Sequence, residues 1–216
     1  MTLASIFIFM RTIIYIDGFN FYYGAVRKTP YKWLDFKKLF NLLLNDSNRI
    51  IKIKYFTAIV SGKYDKSKPA RQKIYLKALQ SHIPEIEIYY GHFRSNEKRA
   101  PLANPTQNNK YVNIIKTEEK GSDVNLAVHL LNDAWLNLYD CAVVVSNDSD
   151  LAEAMQLVKR HHPEKILGLI HPGKSHPSYE LRRHADFFKR VRKGTLKIAQ
   201  LPETIPGTKF SKPKNW

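Results

Sequence analysis

The 216-residue chain has one cysteine, Cys141, only nine glycines, and no apolar run near the ~18–20 residues that cross a bilayer. A single cysteine excludes an internal disulfide and leaves no CxxC knuckle for zinc, so the reducing cytoplasm is the expected compartment. GxGxxG, the Walker glycine run, and a nucleophile elbow followed by Asp and His are all missing, which removes support for dinucleotide, P-loop and hydrolase-triad readings. Repeats and low-complexity tracts are absent too. Acids are scarce: 19 Asp and Glu stand against 35 Lys and Arg, a formal net charge of +16. With a pI near 9.8, the chain calls for an anionic partner, either a phosphate polymer or a lipid surface. The apolar start, MTLASIFIFM, lacks a preceding charge and a small-residue cleavage site, and it is too short to span a membrane. It reads as an extension of the first strand or as a start-site artefact, with Met10 in place of Met1 as the true beginning. No membrane partner is expected.

What is present is material for a core: 44% of residues are apolar and 12% aromatic. Apolar runs of strand length at residues 12–17, 50–60, 85–92, 140–146 and 165–170 alternate with stretches of helical period. Asp35 caps one helix, Pro69 opens another, a third runs from Ser122 to about Trp135, and a fourth starts at Ser149. Such alternation builds a parallel sheet covered on both faces, an α/β fold. Residues 95–111, polar with two prolines, read as a long loop. From Arg182 onward ten Lys or Arg face only Asp186 and Glu203, so a basic tail of net +8 holds half of the total charge.

The acids are not spread evenly. Between Glu118 and Glu153 there are eight of them and a single cation, Lys120, a −7 island in a basic chain. Asp17 ends the first strand, Asp148 and Asp150 follow the fourth, and Asp123 lies in the first turn of the helix before that fourth strand. In open parallel sheets, the crevice outside the carboxyl ends of the strands is where ligands bind. Taken singly, Asp148 or Asp150 reads equally well as a helix N-cap, Asp123 as a partner for the helix dipole, and Asp17 as an Asx turn. Gathered in one crevice, four carboxylates would repel one another unless a hard cation such as Mg2+ or Mn2+ sat between them.

The segments YIDGFNFYYG, KGSDVNLAVHLL and VVVSNDSDL, in this order and spacing, resemble the NYN domain of the LabA-like group, a branch of the PIN-like nuclease superfamily. The resemblance covers residues 11–192, leaving 193–216 as the basic tail, and implies a PIN-like three-layer α/β/α fold with a mainly parallel sheet. It also implies metal-dependent ribonuclease activity, with Asp17, Asp123, Asp148 and Asp150 as catalytic and Mg2+- or Mn2+-binding positions and Asn20 and Ser146 as polar neighbours. His129 stands where many relatives carry an acid. Six residues beyond Asp123 is about 600° of helical rotation, so the two do not share a face, and His129 reads as a packed helix residue.

Phosphodiester hydrolysis at this cluster would need cations to hold RNA outside the crevice. The expected contacts are Lys63 and Arg71 after the second strand, Arg94, Lys98 and Arg99 in the polar segment, and Arg182 and Arg183 near the tail. Phe19, Tyr22 and Tyr23 are available to stack on bases, whereas Phe21 reads as core. The loop holding His171, Lys174 and His176 lies on the same edge as the acids, but its histidines make a weak metal motif. The function expected is that of a divalent-metal-dependent endoribonuclease acting on RNA, with pairing into a homodimer open. The alternative is an RNA-binding regulatory module of the same fold with weak or no catalysis.

Overall fold

A computed structural model describes residues 9–63, 65–107, 109–214 and 216. Residues 1–8, where the extended-first-strand reading falls, lie outside it. Six strands form one wholly parallel sheet: β1 Met10–Asp17, β2 Asn48–Thr57, β3 Ile86–Tyr90, β6 Cys141–Val145, β7 Ile166–His171 and β8 Phe187–Arg190. Their order is β3-β2-β1-β6-β7-β8. The chain builds outward from β1 in one direction, then returns to lay β6 on its other side and builds the opposite way. Strand order therefore reverses between β1 and β6, which opens a crevice at their carboxyl ends.

Alternation along the strands divides the core. Ile14, Ile16, Val143 and Val145 face one side, with α2 Phe36–Leu43, α3 Ser67–His82 and α7 Lys193–Ile198. Ile13, Tyr15, Ala142 and Val144 face the other, with α4 Ser122–Trp135, α5 Ala152–His161 and α6 Tyr179–Arg182. The result is the expected three-layer α/β/α architecture. Cys141 is buried in this core, where the loss of solvent pushes its thiol up to about 12 and leaves it a small inert residue. No helix among the described residues is long and apolar enough to cross a membrane.

Three sequence expectations require correction. Residues 95–101 and 111 are strand rather than loop, and among the described residues only 102–107 and 109–110 form the connection between the two strands. The strands are those of an antiparallel ribbon, β4 His92–Pro101 and β5 Tyr111–Lys120, in register from His92↔Lys120 to Pro101↔Tyr111. Both faces of the ribbon are largely exposed, so it buries no apolar face and leaves no period-2 signal in the sequence. The second strand ends at Thr57 rather than Val60. The strand β8 was not expected at all, being four residues, FFKR, too short for a periodicity to register.

The basic C-terminal segment is set apart by charge but not by packing. Leu196, Ala199, Leu201 and Ile205 are buried, Trp33 donates its indole N–H to the Pro202 carbonyl at 2.8 Å, and the Trp216 ring meets Trp33 and Tyr75.

A carboxylate crevice at the strand reversal

The β1 strand runs into α1, Gly18–Phe21, with Asp17 as its N-cap. Gly18 is required here. A Cβ would lie 2.6 Å from the Phe56 carbonyl oxygen and 2.8 Å from the Tyr55 ring, so only glycine lets the chain turn out of the sheet against β2. A single π-helical turn, Tyr22–Val26, follows and leaves Tyr22 and Tyr23 exposed, while Phe21 is buried as expected.

Asp17 is 4% exposed and fully engaged. Its Oδ1 accepts from the Asn20 N–H at 2.9 Å and its Oδ2 from the Ser146 hydroxyl at 2.9 Å. Ser146, just past β6, accepts in turn from the Asp148 N–H at 3.1 Å, and Asn20 Oδ1 accepts from the Asn147 N–H at 3.0 Å. Asn20 and Ser146 therefore stitch the two sides of the strand reversal together. Asn147 extends the seam by accepting from the Ser178 N–H at 2.7 Å, and sequence reasoning missed it because an amide between a serine and an aspartate carries no signature of its own.

Asp123 reaches the same place from α4. Gly121, with φ +94°, turns β5 into that helix, and Glu119 accepts from the backbone N–H and hydroxyl of Ser122 at 3.1 and 2.7 Å, fixing the first turn. One carboxylate oxygen each from Asp17, Asp123 and Asp148 then lies within 4.8 Å of the others. Burial and the neighbouring charges of Asp17, Asp148, Glu119 and Asp150 push Asp123 up to about 6. Asp17 is also raised, by burial and then by the charges of Asp148 and Glu119, against the lowering effect of its two hydrogen bonds. Three crowded hard oxygen donors, with Asp17 and Asp123 both pushed toward their protonated forms, are a donor set that fits a divalent cation.

Asp150 stands outside this trio. It is exposed, and its N–H donates to Asp148 Oδ1 at 3.0 Å. The crevice measures about 580 Å³ and adds Glu119, which sequence reasoning counted in the acidic island without assigning it a place, together with Phe19, Tyr23 and Phe93. Buried His171 forms part of its wall, its Nε2 3.0 Å from the Ser175 carbonyl. No Lys or Arg lines it among the described residues.

The cations named from sequence lie elsewhere. Lys63 is exposed beyond β2, and Arg71 on α3 pairs with Asp65 at 3.0 Å. Arg94, Lys98 and Arg99 lie on β4, with Arg99 over the Tyr111 ring. Arg182 covers the Phe188 ring at 4.3 Å, and Arg183 pairs with Glu180 at 3.1 Å. His129 packs against Tyr89, ring centroids 4.1 Å apart, and its Nδ1 is 3.3 Å from the Lys54 ammonium; burial, and then the Lys54 charge, lowers its pKa. It is a packed residue of the α4–sheet interface, as its place on the helix predicts.

Comparison with known proteins agrees with this fold. A solved structure of a protein of unknown function, VPA0982 from Vibrio parahaemolyticus RIMD 2210633, superposes with a TM-score of 0.54 over 89% of this chain and 98% of its own. At 15% identity, that likeness speaks for the fold alone. The 6-hydroxy-3-succinoylpyridine 3-monooxygenase HspA of Pseudomonas putida (strain DSM 28022 / S16) is 34% identical over 96% of this chain and 75% of its own length. The family model for the NYN domain matches residues 11–191, with the strand-end acids and the reversal between β1 and β6 inside the match, and the chain belongs to the NYN domain family.

Proposed function

We propose that the protein is a divalent-metal-dependent endoribonuclease, a reading carried by the convergence of Asp17, Asp123 and Asp148 on one open crevice. These three carboxylates would hold Mg2+ or Mn2+, with Asp150 at the rim. A cation there offsets negative charge developing on the phosphoryl oxygens and makes a nucleophile available at neutral pH. The chain's own residues orient the ligands: Ser146 and the Asn20 N–H hold both oxygens of Asp17, and Ser146 ties Asp148 to the same frame. Cations outside the crevice, Lys63, Arg71, Arg94, Lys98, Arg99, Arg182 and Arg183 among them, would neutralise the RNA backbone on either side. The three motifs around the acids support the LabA-like group as the nearer grouping, and the lone buried cysteine supports a cytoplasmic site of action.

The test is cleavage of RNA with Mn2+ or Mg2+, wild type beside Asp17→Asn, where at least ~100-fold loss is expected on removal of a ligand. Equal cleavage by both would place the activity elsewhere. RNA binding that ignores chelator, without turnover, would identify a regulatory module instead.

A second reading rests on HspA, named for oxygenating a hydroxypyridine and similar over nearly the whole chain. A monooxygenase puts one oxygen atom of O2 into its substrate and reduces the other to water with two external electrons. Consumption of 6-hydroxy-3-succinoylpyridine with O2 and a reductant, lost in Asp17→Asn, would support it over RNA cleavage.

A further inference from the structure

Beside the acidic crevice lies a second cavity of about 380 Å³, opposite in character. Phe19, Tyr23 and Phe93 line both, so they form a shared wall. On the far side the lining includes Arg27, Lys32, Lys68 and Arg71 and, among the described residues, no carboxylate. Two rings stand at its mouth with open surface: Tyr22 is 38% exposed and Tyr23 59% exposed, and they meet edge to face at 5.3 Å. The Arg27 guanidinium sits 5.1 Å from the Tyr23 ring centre, and Phe19 meets Phe93 edge to face at 5.6 Å.

We propose that this cavity binds a nucleotide of single-stranded RNA next to the scissile bond, its base stacked on Tyr22 and Tyr23 and its phosphate held by Arg27 and Lys68. The inference rests on the ribonuclease reading, whose crevice shares the wall. The argument is one of complementary chemistry. Aromatic faces accept any base without reading its identity, and cations without a competing carboxylate neutralise phosphate. Arg71 is already paired with Asp65, so the exposed Arg27 and Lys68 carry the phosphate contact. A chain threaded across the shared wall sets its next phosphate over the carboxylates, where a cation would relieve the repulsion.

The test is fluorescence titration of a short single-stranded RNA containing 2-aminopurine, in chelator, so that binding is read without turnover. Tyr22→Ala and Tyr23→Ala, both exposed and safe for folding, are expected to weaken binding roughly 5- to 100-fold each and to relieve the quenching, while Tyr23→Phe retains both. Lys68→Ala should reduce the slope of log affinity against log salt by about one. Wild-type affinity in both alanine variants overturns the proposal. So does saturation by 6-hydroxy-3-succinoylpyridine through the same rings when the RNA does not bind. Ring-dependent RNA binding with no metal-stimulated cleavage sinks the ribonuclease reading and leaves the base-stacking and phosphate contacts standing without a scissile bond beside them. Metal-dependent cleavage with wild-type KM in the tyrosine variants does the reverse.

Discussion

Asp123 holds its proton up to about pH 6, against 3.8 for an ordinary aspartate, so between those values the folded chain binds more protons than the unfolded one. Its contribution to stability is therefore present at low pH and lost as pH rises through about 6. At pH 7 without metal the ionised cluster is a burden. Asp123→Asn should raise the melting temperature in chelator by about 2–4 °C, corresponding to about 1 kcal/mol once the full shift is discounted for the half of the group that meets solvent. The same variant should lose the stabilisation that added Mn2+ confers on wild type, and wild-type Mn2+ affinity should fall as pH drops below about 6 because protons compete for the ligand. Calorimetry across pH checks both. Ser146→Ala removes a hydroxyl that donates to Asp17 and accepts from Asp148, so metal affinity should fall about 10- to 100-fold, measured by titration, with little change in fold. Asp17 and Asp148 were legible in the sequence because Asp17 ends one apolar run and Asp148 follows another by three residues. Asn147 and Glu119 were not, since their roles depend on partners brought from other elements.

At the scale of elements, α4 is fastened to the sheet by a buried polar network. Lys54 on β2 and Tyr15 on β1 both bond Asp133 Oδ2 at 2.6 Å, with Lys54 and Asp133 side chains 6% and 2% exposed. Removing one charge strands the other in a dry interface. Asp133→Ala should cost about 3–5 kcal/mol, and Tyr15→Phe, which deletes a hydroxyl and leaves the ion pair, about 1–2 kcal/mol. Denaturant unfolding of the two variants measures the difference, and near-equal losses would mean that the ion pair contributes little. Because α4 carries Asp123 at one end and Asp133 near the other, this network also sets where the helix start lies. None of it shows in sequence, where Lys54 looks like one more surface cation. Helices and central strands were readable from periodicity because each buries one face or both. The ribbon and β8 were not, one exposed on both sides and the other only four residues long.

On the scale of the whole molecule, the +16 charge resolves into cavities of opposite sign that share an aromatic wall, with the cations of the C-terminal segment spread over a packed surface rather than a free tail. Strand order was hidden from the sequence, since pairing β1 with β6 joins residues such as Ile14 and Val143 that nothing local connects. Yet that pairing is what turns separate strand-end aspartates into one site. The β4–β5 ribbon stands in contrast, contributing no described residue to either core cluster. Replacing residues 94–118 with a short turn, keeping Glu119 to anchor α4, should leave a single cooperative melt by circular dichroism, and loss of that transition would show the ribbon to be part of the folding unit. In terms of tolerated variation, the interval 94–118 is then the permissive part of this architecture: its length and sequence can drift toward new ligands while Phe93, Glu119 and the parallel sheet stay as they are.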